Sequence, residues 1–98
     1  MTDAISLVAA VQAKPGDEDA VESAIRSCVA ATRHEAGCLS YIAHRDLDVA
    51  GKFVFIERWA SRAALASHEK EPHFLALVAA LDGKTVGSFS VSLLSALD

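Results

Sequence analysis

Glu57, Trp59, His68 and His73, a strand carboxylate with an indole and two imidazoles, all fall within the twenty-two residues from Phe53 to Phe74. Side chains alternate across a strand, so in Phe53-Val-Phe-Ile-Glu-Arg-Trp59 the residues Phe53, Phe55, Glu57 and Trp59 share one side. A carboxylate between aromatics on that side is either solvated at a strand end or set in an apolar wall, where it can exchange protons. His68 is the candidate base of such a site, because imidazole titrates near neutrality and small shifts tune it. Glu57 would orient that ring or accept a hydroxyl proton itself. Trp59, Phe74 and Tyr41 would stack on a flat substrate, with the indole N–H and the phenol O–H as spare donors. His73 adds a further donor at a helix break.

Each of these residues also has a plainer reading. A helical His often bonds only a backbone group or water, a strand Glu can pair with an Arg across the sheet, and a Trp is commonly core. His34 and His44 read as surface residues. His68 and His73 are five apart with Pro72 between them, unlike the i, i+4 pairs of helical zinc motifs, so no metal site is expected. The sequence has neither a phosphate-cradling Gly-rich loop nor a nucleophile elbow.

The elements that must position these side chains can be read in order. Ile5, Leu7, Ala9, Val11 and Ala13 alternate on one face of a half-buried strand, which Lys14-Pro15-Gly16-Asp17 stops. Asp17, Glu18 and Asp19 head a helix, where negative charge suits the positive end of the helix dipole. Val21, Ala24, Ile25, Cys28 and Thr32 recur at three- and four-residue steps along its apolar stripe, and Gly37 is the expected C′ residue beyond its end. Cys38 to Arg45 is a second strand, with Leu39, Tyr41 and Ala43 on one face and Ser40, Ile42 and His44 on the other. Asp46 to Gly51 turns it into the strand Lys52 to Trp59.

Ser61 is a plausible N-cap for the next helix, which runs through Ala64, Leu65 and His68 until Glu69-Lys-Glu-Pro72 interrupts it. A further helix from His73 to Leu81 carries Phe74, Leu77, Val78 and Leu81 on one stripe. In the last strand Phe89, Val91 and Leu93 face one way and Ser88, Ser90 and Ser92 the other. Strand, helix, strand, strand, helix, strand is the ferredoxin-like βαββαβ order of an α+β fold: four antiparallel strands with helices on one face.

Ninety-eight residues make a single domain, 1–98. A chain this short buries only roughly 60 to 65% of the surface its unfolded form exposes, yet 52% of its residues are apolar. That excess, and the sheet face the helices leave bare, predict a homodimer. The net charge is −4 without a basic stripe, so no nucleic acid partner is expected. No apolar run reaches the roughly 18 residues of a membrane span, and Met1-Thr-Asp is acidic where a secretory signal would be basic. Both point to the cytoplasm and away from a membrane partner. Cys28 and Cys38 are expected as buried small hydrophobes rather than a disulfide.

Taken together, Glu35-Ala-Gly37-Cys38-Leu-Ser-Tyr41, Phe53 to Trp59 with Glu57 between, Leu65-Ala-Ser-His68 and Pro72-His73-Phe74 resemble the antibiotic biosynthesis monooxygenase (ABM) family. Within that family the chain is most similar to small quinol-monooxygenase-like bacterial proteins, from Ile5 to Leu93. The resemblance implies a dimeric α+β barrel with a pocket between sheet and helices. It further implies oxidation of a small quinol or phenolic aromatic by O₂ without a cofactor, with His68 and Glu57 catalytic. Other characterised relatives degrade haem or isomerise a phosphorylated signalling sugar. The haem degraders use an Asn on the first strand with a Trp and a His; this chain has no Asn, and offers Ser6, Val8 and Gln12 there. An isomerase would need a cationic anchor from Arg58, Arg62 or Lys70, and a dimeric small-molecule-binding protein would need no chemistry at all.

Overall fold

The structure, a computed structural model, describes residues 3–98. Met1 and Thr2, on which the expectation about the N-terminal segment partly rests, lie outside the described residues. The elements are β1 (Ile5–Gln12), α1 (Glu18–Thr32), β2 (Cys38–Arg45), β3 (Lys52–Trp59), α2 (Arg62–His68), α3 (Pro72–Leu81) and β4 (Ser90–Leu94). The strands form one antiparallel sheet in the order β2-β3-β1-β4. This is the ferredoxin-like arrangement, with the second helical arm broken into α2 and α3.

The break has a local cause. Ser61 caps α2 by accepting the Ala64 N–H at its Oγ, 3.1 Å away, and α2 ends at His68. Glu71 is extended, as a residue before proline prefers, and Pro72 opens α3 where its missing N–H removes no helical bond. His68 and His73 therefore close one helix and open the next.

The core lies between the helices and one sheet face. Val21, Ile25, Cys28 and Thr32 of α1 are buried over it, as the stripe predicts. Phe53, Phe55, Glu57 and Trp59 all point inward from β3, beside Leu7, Ala9 and Val11 of β1. Cys28 is buried and Cys38 half-buried, and both are free thiols.

Four details differ from the sequence reading. Leu39 is 51% exposed instead of joining Tyr41 and Ala43, because a bulge between Cys38 and Ser40 inserts it as an unpaired residue. Gly37 does not adopt a left-handed C′ conformation. Its role is close approach: a Cβ there would collide with the Ala64 side chain of α2. Val78 lies at the stripe's edge and is exposed, leaving Leu77 and Leu81 to anchor α3. In β4, Val91 and Leu93 pair with Ala9 and Leu7 on the core face, yet remain exposed beyond the edge of the helical layer.

Candidate active site

A cavity of about 130 Å³ opens between the sheet and the α2–α3 arm. Glu57, Tyr41 and Phe55 contribute to its wall from the sheet, and His68 and Phe74 from the helices. Its lining is otherwise mostly aliphatic. A larger groove of about 350 Å³ lies on the α1–β2 side, where Glu22 pairs with both Arg26 and Arg45.

Glu57 is 5% exposed, and its Oε1 accepts the Trp59 Nε1–H at 2.9 Å. Burial pushes the Glu57 carboxyl up to about 7, with Glu69 and Glu35 adding to the rise and the indole bond opposing it. Near neutral pH the group therefore populates both charge states, as an acid–base residue must. No Arg pairs with Glu57 among the described residues, so the alternative of a cross-sheet ion pair does not hold.

His68 is packed on every side. Its ring lies against Trp59 at 4.6 Å between centroids, with the edges of Phe74 at 5.0 Å and Tyr41 at 5.4 Å. Its Nδ1 is 2.7 Å from Oε2 of Glu35. A carboxylate accepts, so this bond is donated by the Nδ1–H of the ring. No described residue bonds Nε2. The same Glu35 oxygen lies 2.7 Å from His73 Nε2.

Glu35, which the sequence reading left out of the candidate site, is held against both histidines. It sits in the turn between α1 and β2, 33 positions before His68. The available signal was indirect: a buried base on an apolar helix face needs a partner, and Glu35 heads the Glu-Ala-Gly run that packs under α2.

The structure divides the six expected site residues. Glu57, His68, Phe74 and Tyr41 line the cavity. Trp59 does not: it is wholly buried, its face covers His68 and its N–H is committed to Glu57, so no substrate can stack on it. His73 also lies outside the lining, bound to Glu35. The Tyr41 hydroxyl is 3.9 Å from Cys28 Sγ rather than a spare donor, and burial raises its pKa further above the ordinary phenol range. The spacing argument against a metal-ligating set also fails, because the helix break and Glu35 gather Glu35, His68 and His73 within 4.8 Å.

A four-stranded antiparallel sheet layered by helices in this βαββαβ order defines a ferredoxin-like protein. The family model for antibiotic biosynthesis monooxygenase matches residues 4–80, and the chain belongs to this family. It is 31% identical over 98 residues to a Mycobacterium tuberculosis protein named "Putative monooxygenase Rv0793", covering 100% of this chain and 96% of that one. The crystal structure of PA3566 from Pseudomonas aeruginosa superposes with a TM-score of 0.93 at 34% identity, covering 100% of this chain and 98% of the other. A crystal structure of an antibiotic biosynthesis monooxygenase gives 0.91 at 35% identity, covering 96% and 99%. Family and relatives together support a monooxygenase-like role.

Proposed function

We propose that the protein is a cofactor-independent monooxygenase that oxidises a small quinol or phenol with O₂. The supporting observation is the pairing of a base and a tunable acid in one apolar cavity. His68, whose Nδ1 is tied to Glu35, and Glu57 line the same space.

The chemistry needs no further reductant. His68 takes the hydroxyl proton, and the resulting phenolate passes one electron to O₂. The radical pair combines at a ring carbon to form a C–O bond, and Glu57 in its neutral form protonates the peroxide. Loss of the ring hydrogen as a proton and cleavage of O–O then release water and leave a second carbonyl. The apolar lining favours the charge-moving steps by strengthening the electrostatic contacts within it. Glu35 acts as a positioning residue through His68.

The cavity's size narrows the substrate. An apolar cavity of about 150 Å³ holds benzene, so a volume of about 130 Å³ is of the size that seats a single ring. The isomerase reading has no such support, because Arg58, Arg62 and Lys70 are all exposed and none lines the cavity.

Oxygen-electrode assays with a panel of monocyclic hydroquinones test the reading. His68→Gln is expected to slow uptake by roughly a hundredfold. Equal rates for wild type and variant on every active compound would refute it.

The reading includes a second copy of the chain. Ile42, Ile56 and Val8 form an apolar row across three strands on the face away from the helices. Ile42 and Ile56 are 46% and 48% exposed. Pairing two such faces would close a dimeric barrel and remove this row from water.

A further inference from the structure

We propose that Glu35, His68 and His73 form a binding site for a divalent transition-metal ion of the zinc class. The donors are Glu35 Oε2, His68 Nδ1 and His73 Nε2, and all three lie within 4.8 Å of one another. Both ring nitrogens are 2.7 Å from the one carboxylate oxygen. They come from three elements: the α1–β2 turn, the last residue of α2 and the first turn of α3. Tertiary packing, not helical periodicity, sets their convergence.

Charge supplies the second argument. The Glu35 side chain is 14% exposed, and among the described residues no Lys or Arg bonds it. Among the described residues its carboxylate is met only by the two imidazoles, and a divalent cation held among the three donors would engage all of them at once.

Donor chemistry selects the ion. Two imidazoles and a carboxylate suit Zn²⁺, Co²⁺, Ni²⁺ or Fe²⁺, whereas Mg²⁺ and Ca²⁺ favour all-oxygen shells. Tetrahedral Zn²⁺ holds such ligands at about 2.0–2.2 Å, which sets neighbouring donor atoms roughly 3.3–3.6 Å apart. That spacing lies between the 2.7 Å separations from Glu35 Oε2 and the 4.8 Å within which all three donors fall, so side-chain adjustments of roughly an ångström would seat the ion. The His73 side chain is 21% exposed, which gives an ion a route in.

Neither Glu35 nor His73 lines the substrate cavity, so the site does not depend on the proposed oxygenation. His68 belongs to both. An ion on Nδ1 would keep the ring proton on Nε2 and convert His68 from a base into a donor; that consequence alone rests on the proposed function.

Zn²⁺ titration of chelator-treated protein against a chromophoric competitor tests the site, with Co²⁺ absorption reporting the ligand field. A single ion per chain is expected, weakened by more than about tenfold in both His73→Ala and Glu35→Gln. His44→Ala and Cys38→Ser should bind like wild type. The partly exposed position of His73 and the near-isosteric Glu-to-Gln change let circular dichroism verify folding in each. Failure to compete for Zn²⁺, or wild-type binding in both ligand variants, would overturn the proposal.

Discussion

Strands β3 and β4 both pair with β1, and both send alternate side chains to the helix side of the sheet, yet they meet different surroundings. The inward residues of β3, from Phe53 to Trp59, are 0–5% exposed, while Val91 and Leu93 on the same face of β4 are 57% and 42% exposed. Alternation tells which side chains share a face. It does not tell whether anything covers that face, because cover comes from helices placed by distant parts of the chain. The contrast also locates the cavity, which forms where the dense β3 side gives way toward Phe89 and Val91.

The largest way to probe that contrast is a pair of truncations. Trp59→Ala should destabilise the fold by about 3–5 kcal/mol, since it removes a fully buried aromatic and the packing behind His68. Val91→Ala should cost about 0.5 kcal/mol or less, as surface changes do. Urea unfolding measures both. A Val91 variant as costly as a β3 variant would show that the β4 edge is covered in solution.

Next in size is the buried carboxyl of β3. Glu57 titrates near 4.5 when unfolded and about 7 when folded. The folded state therefore holds the extra proton between those values, and stability falls as pH rises from 4.5 through 7. At about 1.4 kcal/mol per unit, the loss amounts to about 3 kcal/mol at most. Glu57→Gln carries no charge and should abolish this component, becoming more stable than wild type at alkaline pH. Denaturant melts across that pH range check the sign; a parallel fall in wild type and variant would contradict it.

A third comparison sets the two faces of the sheet against each other. Ile56 points away from the core and is half exposed, so Ile56→Lys should leave the protomer's own stability within about 0.5 kcal/mol. It should nevertheless shift sedimentation from dimer to monomer, because a buried lysine on each side of the proposed interface opposes association. A wild-type chain that sediments as a monomer at micromolar concentration would break this part of the account.

Much of the fold was legible because its causes are local. Ser61 caps, Pro72 breaks, and the period of two from Phe53 to Trp59 needs no knowledge of the rest of the chain. The bulge at Leu39 was hidden, since one inserted residue leaves the flanking pattern intact. Gly37 was found for the wrong reason: a glycine after a helix suggests a backbone turn, and only the packed structure shows the close approach of Ala64. The site was half visible for the same reason. Glu57 and His68 stood out by type and position, but Glu35 joins them through a long-range contact that no spacing rule encodes. Trp59 was visible as an aromatic near the site. Its burial, which makes it a support for His68 and a donor to Glu57, depends on how α2 lies over β3.

The central claim is that the cavity between the layers inserts one atom of O₂ into a single-ring phenol. Turnover under isotopically heavy O₂, with product and water analysed by mass spectrometry, tests it most directly. The account predicts one heavy atom in the product carbonyl and the other in water, with both signals largely lost in His68→Gln. Unlabelled product, or turnover that continues without O₂, would contradict it.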